Sequence, residues 1–227
     1  AEEDDPIDNI SVFDNCNSLA VLTIASGNKA YAAIDNVVYG IGSESGKVEI
    51  LYFSVMRNQG KNGVITVPSS VNEVKTRAFY GADGLKTVIF EDKTEGTVTF
   101  GEAVFSSISS VSVSTIESVE LPAGLTTIVT RMFYNSDIKS IVIPNTVTSI
   151  GVAAFYGCDR LTTVTFEAGG TEPLVIADGD DATNGAFIGC SSLNDIVLPD
   201  RTTEIGDYAD RKSTRLNSSH QAISYAV

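Results

Sequence analysis

A phenylalanine that returns with the same companions at fixed offsets limits what this chain can fold into. Phe155 is followed by Leu161, Val164 and Phe166; Phe79 by Leu85, Val88 and Phe90; Phe187 by Leu193, Ile196 and Leu198; Phe13 by Leu19, Leu22 and Ile24. Upstream, Pro68, Pro122 and Pro144 stand eleven residues before Phe79, Phe133 and Phe155, and Val74, Ile128 and Ile150 stand six residues after those prolines. The step from Phe133 to Phe155 is 22 residues. The gaps of 54 residues from Pro68 to Pro122 and 55 from Pro144 to Pro199 each hold two units plus an insertion, with Phe105 and Phe187 marking the units that lack a proline. Agreement at this many offsets identifies a repeat. Units this short cannot bury an apolar face alone, so they stack into a solenoid.

Each unit reads as one coil. The run Leu161-Thr162-Thr163-Val164-Thr165-Phe166 alternates apolar and β-branched polar residues near its end, which suits a strand with one face buried. Pro144 and Pro199 follow such runs and stop them, because proline cannot donate to a ladder. Val147-Thr148-Ser149-Ile150 is a second short extended piece, and Ala154-Phe155-Tyr156-Gly157 suits a tight helical or 3₁₀ turn with the ring turned inward. Stacking pairs the strands in parallel around a continuous Leu/Val/Ile/Phe column. The expected fold is a β-rich α/β solenoid, a right-handed superhelix of parallel strands and short helical or 3₁₀ turns.

The last 18 residues stand apart. Residues 210–227, DRKSTRLNSSHQAISYAV, are polar and basic after an acidic body and resemble the translation of a sequencing adapter, as in a truncated, metagenomic-type fragment. Register agrees: counted from Pro199, Ile205 and Ala209 fall where an aliphatic and a small residue belong, but Asp210 stands where Phe is due. The expectation is a single solenoid over 1–209 and a non-native tail over 210–227. The 227-residue chain carries 15 Lys+Arg against 29 Asp+Glu, a net charge of −14; without the tail 12 basic and 28 acidic residues remain, and the only histidine, His220, is gone. An acidic surface disfavours nucleic acid and anionic membrane. No apolar run reaches the roughly 18 residues of a spanning helix, so no membrane insertion is expected. A solenoid end left bare exposes a strand edge, so end-to-end self-association, or cover by the tail, is expected there.

The sequence Val147-Thr148-Ser149-Ile150-Gly151, followed by Ala154-Phe155-Tyr156-Gly157-Cys158 and Leu161, resembles the BspA-like leucine-rich repeats. The likeness extends in weaker form from about Phe13 to Ala209, with Asn135 and Ser107 in place of Gly157, and Met132 and Val104 in place of the small residue before Phe. Residues 27–71, with a run from Ala30 to Tyr39, a second strand from Val48 to Phe53 and then Ile65-Thr66-Val67-Pro68, resemble that family's variant unit with an inserted hairpin. The resemblance implies a leucine-rich-repeat superhelix, secretion to the outer surface of a gut or oral bacterium, and adhesion to host or bacterial proteins rather than catalysis.

Chemistry-bearing residues have plainer readings. Cys16, Cys158 and Cys190 each sit three residues after an anchor Phe, where other units hold Ala82, Ser136 and Ile108. They read as buried structural thiols, with a Cys158–Cys190 disulfide as the alternative in an oxidising compartment. Without a histidine base no nucleophilic cysteine is expected, and without CxxC spacing no zinc. Gly40, Gly42 and Gly46-Lys47 lack phosphate-loop spacing, and Val48 stands where a hydroxyl would meet magnesium. Asp178-Gly179-Asp180-Asp181 lacks the ligand order of a calcium loop. No cofactor and no enzyme activity are expected.

A surface remains. Alternation puts Thr87 and Ile89, Ser118 and Glu120, Ser140 and Val142, Thr163 and Thr165, and Asp195 and Val197 on the open side of successive strands about 4.8 Å apart. This is the candidate protein-binding platform. The alternatives are a plain solvated sheet, a spacer that holds a further C-terminal domain away from the cell, and carbohydrate binding without catalysis.

Overall fold

Short apolar runs between turn-forming residues make short strands, and stacking of the coils makes the sheets. The computed structural model describes residues 23–34, 37–41, 48–53, 63–82, 84–107, 116–179 and 184–206. Phe13, Cys16, Asp180, Asp181 and the boundary at Ala209 lie outside them. The chain opens with β1 (Tyr31–Ile34), β2 (Val37–Ile41) and β3 (Val48–Phe53), paired antiparallel as β1-β2-β3. From there on every pairing is parallel. One wall is a five-stranded sheet of β4 (Val64–Val67), β6 (Thr87–Phe90), β8 (Ser118–Glu120), β10 (Ser140–Ile143) and β12 (Thr163–Phe166) in chain order. A second wall is built from β5 (Val71–Val74) and β7 (Thr99–Phe100), which continue the β1-β2-β3 sheet. Further along the chain the equivalent strands form a separate sheet of β9 (Thr127–Ile128), β11 (Ser149–Ile150), β13 (Leu174–Ile176) and β14 (Thr202–Ile205).

The phenylalanine turns close the third side. Phe79, Phe105, Phe133, Phe155 and Phe187 stack in one column, with adjacent centroids 5.3, 5.3, 5.1 and 5.1 Å apart and interplanar angles of 16° or less. Four of the five rings are fully shielded from water and Phe187 nearly so. Each such ring contributes about 1.5–3 kcal/mol by burial, and its geometry with neighbouring rings about 0.5–1.5 kcal/mol more. Leu85, Ile116, Ile138, Leu161 and Leu193 line the core beside the column. It is one continuous interior.

The turns are not helical: among the described residues there is no helix of any kind. The reason lies in where their amides go. Around Phe79, Ala78 N, Tyr80 N and Ala82 N donate to carbonyls three residues back, at 3.1, 3.0 and 3.3 Å, but Arg77 N, Phe79 N and Gly81 N donate to Glu102 O, Val104 O and Ser106 O of the next coil at 3.0, 2.9 and 3.0 Å. The same trio recurs at Arg131, Phe133 and Asn135, and at Ala153, Phe155 and Gly157. At three of these turns left-handed residues stand on both sides of the ring: Arg77 and Gly81 (φ 57° and 61°), Arg131 and Asn135 (55° and 54°), Ala153 and Gly157 (53° and 69°); at Phe105 only Ala103 (54°) is left-handed, and Ser107 N still reaches Tyr134 O at 2.9 Å. The three-back bonds fall on alternate residues and are never consecutive, so no helix forms. Gly and Asn two residues after Phe meet this demand at little cost.

Two outcomes test the coil. Phe133→Ala, in mid-column, is expected to lower unfolding free energy by about 3–5 kcal/mol in a denaturant titration, against about 1–2 kcal/mol for Phe133→Leu, because the alanine leaves a ring-sized void. Gly157→Ala places a Cβ against Asn135 Oδ1 at φ +69° and is expected to cost about 1–2 kcal/mol. Gly96→Ala, also at positive φ but with nothing within 4 Å of the new atom, carries the backbone cost alone.

Candidate functional site

The first wall turns alternate residues to water. Val88, Val119, Ile141 and Val164 point into the core, while the residues on either side of each stay on the surface. Ladder register brings the outward residues together across the coils. Thr87 lies beside Ser118 and Ile89 beside Glu120; Ser118 lies beside Ser140; Ser140 and Val142 lie beside Thr163 and Thr165. Two rows result. One is hydroxylated (Thr87, Ser118, Ser140, Thr163); the other is mixed (Ile89, Glu120, Val142, Thr165). Val142 is 52% exposed although it is a large aliphatic in the middle of a sheet.

The face reaches one strand further than expected at one end and stops short at the other. Val64 and Thr66 of β4 pair with Thr87 and Ile89 and extend both rows. The signal was present, since Val64-Ile65-Thr66-Val67 before Pro68 has the same alternation as 163–166. Asp195 and Val197 belong to no strand. Residues 193–199 keep the inward-outward phase, with Leu193, Ile196 and Leu198 buried and Val197 68% exposed, but they form no ladder with β12. Asn194-Asp195 are poor strand formers where the preceding coil has Thr162-Thr163.

Charged pairs border the face ahead of the strands, Glu117 and Lys139 one residue before β8 and β10, and Asp137 and Arg160 three residues before β10 and β12. Lys139 Nζ meets Glu117 Oε2 at 2.5 Å, and Arg160 Nη1 meets Asp137 Oδ2 at 3.3 Å. The Lys139 hydrogen bond holds the Glu117 carboxyl below its ordinary range. Partial burial outweighs Arg160 at Asp137 and raises that carboxyl. The signs oppose: Glu117 stabilises above the usual glutamate range and loses that contribution as pH falls through its lowered value, whereas ionised Asp137 opposes folding at neutral pH until it is protonated. Both groups face solvent, so these contributions are small and screened by salt. These two pairs compensate each other's charge along the border.

The cysteines are core groups. Cys158 and Cys190 are free thiols, each buried and donating S–H to the phenylalanine carbonyl of the preceding coil, Phe133 O at 2.9 Å and Phe155 O at 3.1 Å. Burial pushes the Cys158 thiol up to about 12, which leaves almost no thiolate for nucleophilic attack or oxidation. Among the described residues no group of three or more His, Cys, Asp or Glu is placed to hold a metal ion, and no helix is long and apolar enough to cross a membrane. The expected outcome of iodoacetamide treatment at pH 8.5 is no label on Cys158 in the folded chain and full label in denaturant, read by peptide mass mapping.

Comparison with known proteins agrees with this geometry. The profile of the BspA type leucine rich repeat region matches residues 52–172 and 179–222 in six copies. No curated protein matches the chain. Among solved structures, a leucine rich cell surface protein from Faecalibacterium prausnitzii superposes with a TM-score of 0.59 at 24% identity, covering 78% of this chain and 43% of that one. A leucine-rich repeat protein from Eubacterium ventriosum gives 0.61 at 17% identity over 88% of this chain and 54% of its own. The pneumococcal vaccine antigen PcpA gives 0.56 at 17%, covering 79% and 43%. At these identities the likeness is one of fold, and the chain spans about half the length of these relatives or less.

Proposed function

The chain belongs to the BspA-type leucine-rich-repeat family, and we propose that it is a non-enzymatic binding module that engages protein partners through the outward face of the β4-β6-β8-β10-β12 wall. One observation carries the reading: a five-stranded parallel face on which residues of equal rank stand side by side, with Val142 held more than half exposed amid hydroxyls. Apolar side chains kept on a sheet face by alternation, and flanked by groups that hydrogen-bond readily, suit contact with another protein surface. The border charges are paired, Lys139 with Glu117 and Arg160 with Asp137, so that Glu120 is the charge a partner meets on the face itself.

The partners are host matrix proteins or surface proteins of other bacteria, and the location is the outer surface of a bacterium. Two facts support that placing: the acidity of the chain, at −14, and the Faecalibacterium relative, itself a cell surface protein. No step of a reaction is assigned to any residue. The described cysteines are buried, and burial pushes the Cys158 thiol up to about 12.

Binding to immobilised matrix proteins and to intact bacterial cells tests the proposal. Thr163→Glu with Thr165→Glu adds two charges to both rows at the β12 edge of the face and is expected to reduce binding at least about tenfold, with an unchanged circular dichroism spectrum. Thr127→Glu, on the second wall, serves as the control and is expected to bind as the parent does. Equal binding by all three proteins, or by none of them, refutes the face as the site and leaves the chain a spacer. Glycan-array binding that survives the double substitution moves the function to carbohydrate.

A further inference from the structure

One row of amides ties the first wall together just ahead of its strands. Glu117 N donates to Lys86 O at 2.8 Å, Lys139 N to Glu117 O at 3.0 Å, and Thr162 N to Lys139 O at 2.9 Å. By register the next member is Asn194 N to Thr162 O. The row ends before it: among the described residues no backbone hydrogen bond joins 162–166 to 194–198.

The coil that contains 194–198 is otherwise seated. On its turn, Phe155 N donates to Ala186 O at 2.8 Å and Gly157 N to Ile188 O at 2.7 Å. On the second wall β14 pairs with β13, and Gly206 N donates to Ile176 O at 2.9 Å, matching Gly151 N to Ile128 O in an earlier coil. The side chains are also in phase, since Leu193, Ile196 and Leu198 are 5–6% exposed. Two sides of this coil are bonded and the third is aligned but open.

Local chemistry explains the opening. At the two positions where preceding coils carry Lys86-Thr87, Glu117-Ser118, Lys139-Ser140 and Thr162-Thr163, this coil carries Asn194-Asp195. Asn194 Nδ2 donates back to Ser192 O at 3.3 Å, a local bond of the kind that competes with ladder formation. The apolar anchors hold the segment against the core while its first residues favour a turn.

We propose that residues 194–198 are a strap with two positions: the open one seen here, and a closed one in which it pairs in parallel with β12 as the sixth strand of the wall. Closure sets Asp195 beside Thr163 and Val197 beside Thr165 and widens the face by about 4.8 Å. It also satisfies the β12 backbone edge, which is otherwise left to water. A ligand that spans the two segments favours the closed position in proportion to its extra contacts there. That last step rests on the binding role of the face; the strap itself does not.

Amide hydrogen exchange on the full chain, free of ligand, tests the strap separately from binding. In the native sequence the amides of 195–198 that face β12 are expected to exchange at least about tenfold faster than the amides of Phe155 and Gly157, which tie the same coil at its turn. Asn194→Thr with Asp195→Thr installs the pair carried by the preceding coil and is expected to slow exchange in 195–198 about tenfold or more, leaving Phe155 and Gly157 unchanged. Native strap amides as protected as those turn amides overturn the proposal, because the strap is then already closed. No slowing in the double variant overturns it too, because the two residues are then not what holds it open.

Discussion

The structure depends on one repeated constraint: each coil must present a flat aromatic ring and three outward amides to the next at the same height. The rings from Phe79 to Phe187 stack at 5.1–5.3 Å, close to the spacing of parallel strands, so ring stacking and ladder bonding share one rise per coil. A larger or tilted group at that position would lift one coil from the next and break the amide bonds on all sides together. The core is therefore nearly invariant in type along the column, while the units vary in length outside it, as between Phe105 and β8 and between β13 and Phe187.

The same rule explains the backbone strain. Arg77, Ala103, Arg131 and Ala153 occupy the left-handed region, where a side chain is disfavoured by about 1–2 kcal/mol. These are neither glycines nor clustered at a reactive centre. They recur two residues before four of the five rings, where the amide reaches the next coil, and the bond it makes there offsets the conformational cost. Strain here belongs to stacking rather than to chemistry. The thiols of Cys158 and Cys190 likewise serve stacking, each filling a small site and satisfying a carbonyl one coil away.

A solenoid built this way produces a broad face as a by-product of its interior. Once Val88, Val119, Ile141 and Val164 are committed inward, their neighbours form rows outward whether or not they bind anything. What distinguishes this face is its content: hydroxyls in one row, Ile89, Glu120, Val142 and Thr165 in the other, and a border that holds two ion pairs. Recognition by such a surface depends on shape and summed contact rather than on any single reactive group, which is consistent with the lack of convergent polar chemistry among the described residues.

Much of this was legible in the linear chain, because burial in a stacked coil is a property of position within the unit. Offsets from each phenylalanine were enough to assign Leu161, Val164 and Ile150 to the interior and to place eight of the ten expected face residues on a sheet. Three features came only from the fold. Nothing in Arg77 or Ala153 announces a left-handed backbone, since that conformation is imposed by a bond to a residue more than twenty positions away. The pairing of Glu117 with Lys139 arises because the coils between them happen to close at the same height. The unbonded stretch at 194–198 reflects a contest between Asn194's local bond and a distant strand. A repeat specifies which side of the chain is dry, but whether neighbouring backbones then meet is settled by the balance of forces between coils, and that balance exists only once they are stacked.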